Sequence, residues 1–364
     1  MKRTLTQRIV TAAWMAALGL MLSGCGLRGP QSIVDADGPV AEFQYWTFMV
    51  SFYVSLLIFV LVGSLIVYCV VRYRHVGEVT PDTPLPDQGH GSTKLEVGLI
   101  LVSIVLVIVI LVPALQGQFY QGTLQDPASE VLEINVTGYQ WWWKFEYPAL
   151  GVVTANELAI PTGRAVKFNL KTNDVIHSFW VPRLAGKVDL MPNQKNWLWL
   201  RSTKDGMYYG QCVEFCGESH AFMKFRVHSL PSDEFKSWVE HQKSGAREVT
   251  DPLALRGKQL FKTKQCVGCH QIRPAPGGNL APDLTHLASR TTIAAGELEN
   301  TPENLAAWLD HPGEIKPGNM MQAAFLHPSP QPSWRRPWPG WDNLNIALNQ
   351  GDIDALVAYL RSLE

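Results

Sequence analysis

Cys212-Val-Glu-Phe-Cys216-Gly-Glu-Ser-His220-Ala-Phe-Met223, with Asp174-Val-Ile-His177-Ser-Phe upstream of it, is the stretch on which the reading of this chain turns. Two thiols, two imidazoles and a thioether form a soft donor set, which suits copper better than magnesium, calcium or manganese. A single-copper electron-transfer site needs one Cys, two His and a weak axial Met. Here a second Cys follows the first by four positions, so both sulfurs can bridge two metals. The competing readings are a Cys212–Cys216 disulfide, which leaves His177, His220 and Met223 without a reason, and zinc, which seldom takes a thioether.

Outward from this motif, 131–229 alternates short β-prone runs (Val131-Leu-Glu-Ile-Asn-Val, Ala165-Val-Lys-Phe-Asn-Leu, Trp197-Leu-Trp-Leu, Phe225-Arg-Val-His) with Gly, Pro and Asn turns. That pattern predicts a β-sandwich or small barrel. Pro231-Ser-Asp-Glu234 then opens a short amphipathic helix through His241, and 243–250 reads as a linker. Beyond it the chain turns helical and loop-rich. Asp251-Pro252 opens a helix with Leu253, Leu255, Leu260 and Phe261 as its apolar side, and Gly351 to Leu363 forms the last helix.

Between those helices stands a second motif, Cys266-Val-Gly-Cys269-His270, the attachment pattern of a c-type haem. Both sulfurs add to porphyrin vinyl groups and His270 supplies an axial imidazole. A redox Cys-x-x-Cys needs no such His. The sixth ligand has to come from downstream, where Lys316-Pro-Gly-Asn-Met320-Met321 offers two thioethers. Gly257 and Phe261 are expected to cross Leu356, Tyr359 and Leu360 where the two helices close the unit.

Towards the N-terminus, 46–71 and 97–115 contain no charged residue, and each is long enough to cross a bilayer as a helix. Arg72, Arg74 and Lys94 place the connection between them in the cytoplasm and the large C-terminal part outside. Lys2, Arg3 and Arg8 followed by an apolar run to Leu22 read as an export signal, and Leu22-Ser-Gly-Cys25 resembles a bacterial lipobox. Cys25 would then be lipidated; the alternative is an ordinary signal with an unmodified Cys. The net charge of −1 in 364 residues gives no argument for nucleic acid binding.

Taken together, Cys-x-Glu-x-Cys-Gly-x-x-His-x-x-Met with the upstream Asp-Val-x-His-Ser resembles the binuclear copper A motif of cytochrome c oxidase subunit II, here of the type with a fused C-terminal cytochrome c domain. The resemblance implies a multi-domain membrane protein: a signal peptide over 1–24, a transmembrane hairpin over 25–125, a cupredoxin-like β-sandwich over 126–242 and an all-α cytochrome c domain over 243–364. It implies that Cys212 and Cys216 bridge two coppers, with His177, His220, Met223 and the carbonyl of Glu214 completing the set. The Glu214 carboxylate would also serve a magnesium ion at the interface with subunit I. In Tyr139-Gln-Trp141-Trp142-Trp143, Trp141 would be exposed above the copper and accept electrons, while Trp143 packs inward. An aromatic run is also ordinary core packing. Lys-Pro-Gly-Asn-x-Met selects Met321 as the axial ligand, with Met320 the alternative, and the Pro282 carbonyl would hold His270. Glu96 would help admit protons to subunit I; a helix cap is its plainer reading.

Such a subunit would accept electrons from a cytochrome c or an upstream respiratory complex and pass them to subunit I, with subunit III alongside, for reduction of oxygen to water coupled to proton translocation. It would sit in the bacterial plasma membrane with both redox domains on the periplasmic side. Two other readings are a membrane-tethered electron carrier and the copper A subunit of a nitric oxide reductase. A segment over 325–345, rich in Trp and Pro, is longer than a minimal cytochrome domain needs.

Overall fold

The computed structural model describes residues 29–74, 91–121, 131–325 and 346–364, with single positions at 19, 80 and 89. Cys25, most of the export signal and 326–345 lie outside the described residues.

Two long helices, α1 (Pro39–Tyr73) and α2 (Thr93–Gln121), lie against each other as a hairpin, with Phe43 stacked on Tyr120 at 5.6 Å. Both are long and apolar enough to cross a membrane, and their apolar side chains face outward. Each extends beyond its uncharged core. The first turn of α1 is soluble in character: Val40 is buried in the β-domain core, and Ala41 beside it is buried too. Just before it, Asp37 is buried and forms ion pairs with Arg183 and Lys204. These ties hold the hairpin to the domain above it.

The β-domain is two five-stranded sheets packed face to face. One has the order β3 (Val152–Ala155), β2 (Trp142–Tyr147), β1 (Leu132–Tyr139), β5 (Val166–Thr172), β8 (Asn196–Leu200). The other runs β4 (Glu157–Pro161), β10 (Lys224–Leu230), β9 (Gly206–Cys212), β6 (His177–Trp180), β7 (Val188–Leu190). The alternation in sequence sets which side chains face in. In β2, Trp143, Phe145 and Tyr147 are buried while Trp142, Lys144 and Glu146 point out. Phe179 and Phe225 stack at 4.6 Å in the centre, with Trp143, Phe145 and Phe168 around them. Each such buried aromatic contributes about 2–3 kcal/mol by removal from water. The Tyr147 hydroxyl donates to the Ala159 carbonyl at 2.7 Å and accepts from its N–H at 3.1 Å.

Helix α3 (Ser232–Lys243) closes one end of the sandwich through Phe235 and Val239. The helical domain follows, with α4 (Pro252–Thr263) capped by Asp251, whose side chain accepts from Ala254 N. A two-residue ladder of β11 (Thr292–Ile293) and β12 (Leu298–Glu299) interrupts it, then α5 (Pro302–Asp310), α6 (Pro312–Ile315), α7 (Met320–Phe325) and α8 (Gln350–Arg361). Helices α4 and α8 cross at Gly257, where a Cβ would lie 1.9 Å from Ala355 O, and Phe261 meets Tyr359 at 5.8 Å. The apolar side expected of α4 needs correcting. Leu253 and Leu255 are exposed, and the buried residues are Ala254, Gly257 and Phe261. Close approach to α8 requires small residues at the crossing, and that outweighs the bulk of the leucines.

The two domains touch through buried polar groups. Glu157 accepts from Thr291 N at 3.0 Å and Thr292 N at 2.7 Å, and from both threonine hydroxyls. Burial alone would raise its pKa, but hydrogen bonds from His228, Thr292 and Thr291 outweigh that and hold it at about 2. A depressed carboxylate contributes stability that is complete above its ordinary value of about 4.5 and is lost as pH falls through about 2. Pepsin cleavage around Thr291, followed at pH 5, 3.5 and 2, is expected to accelerate steeply across that window, and Glu157→Gln to flatten the dependence.

Candidate metal and haem centres

The proposed copper ligands come together from three segments. Strand β9 ends at Cys212, which opposes Phe179 of β6, so that His177 at the start of β6 comes alongside. Cys212 N donates to Met223 O at 2.9 Å, closing the loop that carries Cys216 and the 3-10 turn at His220–Phe222.

Inside this loop the donor atoms converge. The Sγ atoms of Cys212 and Cys216 are 3.8 Å apart. His177 Nδ1 lies 3.9 Å from Cys212 Sγ, and His220 Nδ1 3.5 Å from Cys216 Sγ. Met223 Sδ is 3.8 Å from Cys216 Sγ, and the Glu214 carbonyl oxygen 3.3 Å from Cys212 Sγ. His177, Cys212, Cys216 and Met223 are buried, whereas the Glu214 side chain is exposed. The sulfur separation is that of two thiols and not of a disulfide, whose bond is about 2.05 Å. A soft, buried and convergent donor set of this kind fits copper.

The surroundings fix the ligands. His177 Nε2 faces Asp174 Oδ1 at 2.7 Å, which leaves Nδ1 aimed at the sulfurs. Burial would lower the pKa of His177, but the hydrogen bonds to Asp174 and Cys212 raise it. The pairing of the two sulfurs holds Cys212 well below the ordinary thiol range, against the effect of burial, and pushes Cys216 upward. Room for the imidazole is made by Gly138, where a Cβ would lie 2.8 Å from His177 Cδ2. Trp143 is fully buried against His177, Phe179 and Phe225. Sequence reasoning missed Asp174 as a support, although the pairing is visible as an acid three residues before the His.

Trp141 is not exposed above the copper loop, as the resemblance implies, but buried. It is only 3% exposed, its Nε1 donates to the Cys216 carbonyl at 3.0 Å, and the helical domain covers its other side. Exposure depends on whether a second domain sits over the indole, which no local motif records.

In the helical domain Cys266 and Cys269 flank a 3-10 turn and are free thiols, and burial pushes both up to about 11. His270 Nδ1 donates to Pro282 O at 2.8 Å, and burial holds the imidazole below its ordinary pKa, as a neutral ligand needs. Asn319 folds the downstream loop by donating to the Pro312 carbonyl at 2.8 Å and accepting from Gln322 N at 2.8 Å. Met321 packs on the helical core, while Met320 is 40% exposed. Glu96 lies in the first turn of α2, a separate element from both centres.

Replacing Asp174 by Asn removes the carboxylate behind His177. Copper retention against a competing chelator is expected to fall about 10–100-fold, with the β-domain still folded by circular dichroism.

Comparison with known proteins agrees with this layout. Residues 149–230 match the family "Cytochrome C oxidase subunit II, periplasmic domain", and 254–364 match the family "Cytochrome c". Cytochrome c oxidase subunit 2 of Alkalihalophilus pseudofirmus is 35% identical over 354 residues, covering 96% of each chain. That of Bacillus subtilis is 36% identical over 332 residues, covering 85% of this chain and 91% of the relative. Among solved structures, the periplasmic domain of subunit II of cytochrome oxidase from Bradyrhizobium japonicum is 34% identical, covering 31% of this chain and 93% of its own, at a TM-score of 0.30. The two apolar helices and the periplasmic-domain match describe a membrane-anchored protein with a periplasmic domain. This chain belongs to the cytochrome c oxidase subunit 2 family, with a fused cytochrome c domain, and is a component of a haem-copper oxidoreductase.

Proposed function

We propose that this chain is the electron inlet of a proton-translocating oxidase that reduces oxygen to water. Electrons from a cytochrome c, or from an upstream respiratory complex, are taken up at a haem c and pass by way of copper A to subunit I. In this reading Cys266 and Cys269 hold the haem covalently, with His270 and Met321 as axial ligands. His177, Cys212, Glu214 through its carbonyl, Cys216, His220 and Met223 hold two coppers. The observation that carries it is the convergence of two thiols, two imidazoles and a thioether in one buried loop.

A delocalised copper pair and a Met-ligated haem both supply one-electron chemistry with little change of bonding. The chain's own contribution is to fix the ligands beforehand. Asp174 sets the His177 tautomer, and the Pro282 carbonyl does the same for His270. Strand pairing on both sides of Cys212 gives the loop little freedom to move between redox states.

Further assignments follow from family resemblance. The exposed Glu214 carboxylate is available for a magnesium ion at the subunit I interface, and Glu96 for proton uptake. Subunits I and III are the partners, Cys25 is lipidated, and both redox domains face the periplasm of a bacterial plasma membrane. The boundaries are 1–24 for the signal, 25–125 for the hairpin, 126–242 for the copper domain and 243–364 for the cytochrome domain. A tethered carrier would need one anchor, so the two-helix hairpin favours an oxidase subunit over that alternative.

Purified complexes carrying wild-type chain and Cys216→Ser test the copper assignment. We expect a mixed-valence copper EPR signal in the wild type, lost in the variant together with turnover, while the c-type haem spectrum is retained. Copper missing from the wild type, with Cys212 and Cys216 oxidised to a disulfide, would falsify the reading. For the haem, Met321→Leu is expected to abolish the low-spin spectrum and Met320→Leu to leave it intact; the reverse pattern assigns Met320.

A further inference from the structure

Lys316 lies in the loop that precedes Met321, yet its side chain ends in the other domain. It is 3% exposed, and Nζ donates to the carbonyls of Trp141 at 2.6 Å, Phe222 at 2.9 Å and Ala294 at 3.2 Å. Burial lowers its pKa to about 7, and in the ammonium form its three protons match the three acceptors. Without them a buried amine would be costly. Two of the three belong to the β-domain, and Phe222 directly precedes Met223.

The neighbouring residues continue the contact. Ser219 Oγ donates to the Pro317 carbonyl. Gly318 has φ +72°, and a Cβ there would lie 2.4 Å from Glu218 Oε2 and 3.2 Å from Trp141 Cη2. The backbone of the haem-side loop therefore passes against one edge of the indole. From the indole Nε1 donates to the carbonyl of Cys216. One aromatic ring spans the distance between the two loops.

We propose that Lys316 is a positioning residue that seats the loop 316–319 on Trp141 and so fixes how this chain's cytochrome domain meets the copper loop. This rests on the haem and copper reading above. With both groups bound, the haem would lose one electron as the copper pair gains it, and no bond or proton would be exchanged at Trp141.

The test uses the assembled membrane complex carrying Lys316→Met, which keeps the chain length and removes the three donors. Hydrogen exchange of peptides covering 138–145 and 219–224 reports the seating, and flash-initiated haem-to-copper transfer reports its consequence. We expect faster exchange in both peptides and a transfer rate lower by about tenfold or more, with copper and haem spectra unchanged. Lys316→Gln, with two donors on a shorter stem, is expected to lose less, and it decides the matter if Lys316→Met does not assemble. Unaltered exchange, or a rate within about twofold of wild type, overturns the proposal. A wild-type complex lacking copper or haem overturns the cofactor reading instead, and the exchange measurement then still decides whether Lys316 seats the loop.

Discussion

The pairing of Cys212 is the constraint on which the copper loop depends. Strand β9 lies between β6 and β10, and its end is tied on both sides: Cys212 N donates to Met223 O at 2.9 Å, and the next residue, Val213, donates its N–H to Ser178 O at 3.2 Å. Side chains alternate faces along a strand, so a slip of one residue would turn the Cys212 sulfur away from His177 and Met223. With the register fixed, the ten residues between Val213 and Phe222 have only to fold back, and Gly217 at φ +117° allows the reversal that returns Cys216 and His220 to the same point. The aromatic core beneath, centred on Phe179 and Phe225, holds β6 and β10 in that register.

A different kind of interaction joins the β-domain to the helical domain. Their contact is made by polar groups that neither domain could bury alone, Glu157 against Thr291 and Thr292 and Lys316 against the carbonyls of Trp141 and Phe222, with a part-exposed Lys224–Glu297 ion pair beside them. Arg226 stacks 4.0 Å over the Tyr209 ring and donates to the Gly296 carbonyl. A buried charge left without partners costs more than its pairing returns, so such groups tolerate few alternative arrangements. Hydrophobic burial would give affinity without direction. Directional acceptors specify one orientation, which is what the proposed electron transfer between two fixed centres requires.

Much of this was legible along the chain. The β-prone runs within 131–229 marked the β-domain, and the spacing of Cys212, Cys216, His220 and Met223 placed four donors within one loop. Asp251-Pro252 marked the start of α4, and the uncharged runs marked the membrane hairpin. Less legible was the face of α4, because Leu253 and Leu255 are the larger residues while the crossing with α8 selects Gly257. Asp174 was readable in principle, three residues before His177, but as part of a motif and not as a support.

By itself the sequence determined the β-domain, the close spacing of the donors in the copper loop and the two apolar helices, because periodicity, length and ligand spacing are local properties of the chain. Only the tertiary structure decided that Trp141 is covered, that Lys316 reaches across to its carbonyl, and that Glu157 is satisfied by a hairpin more than a hundred residues later. The physical reason is that burial and hydrogen-bond satisfaction belong to a place in space. No periodicity in 131–230 records what 291–319 will bring to the same surface.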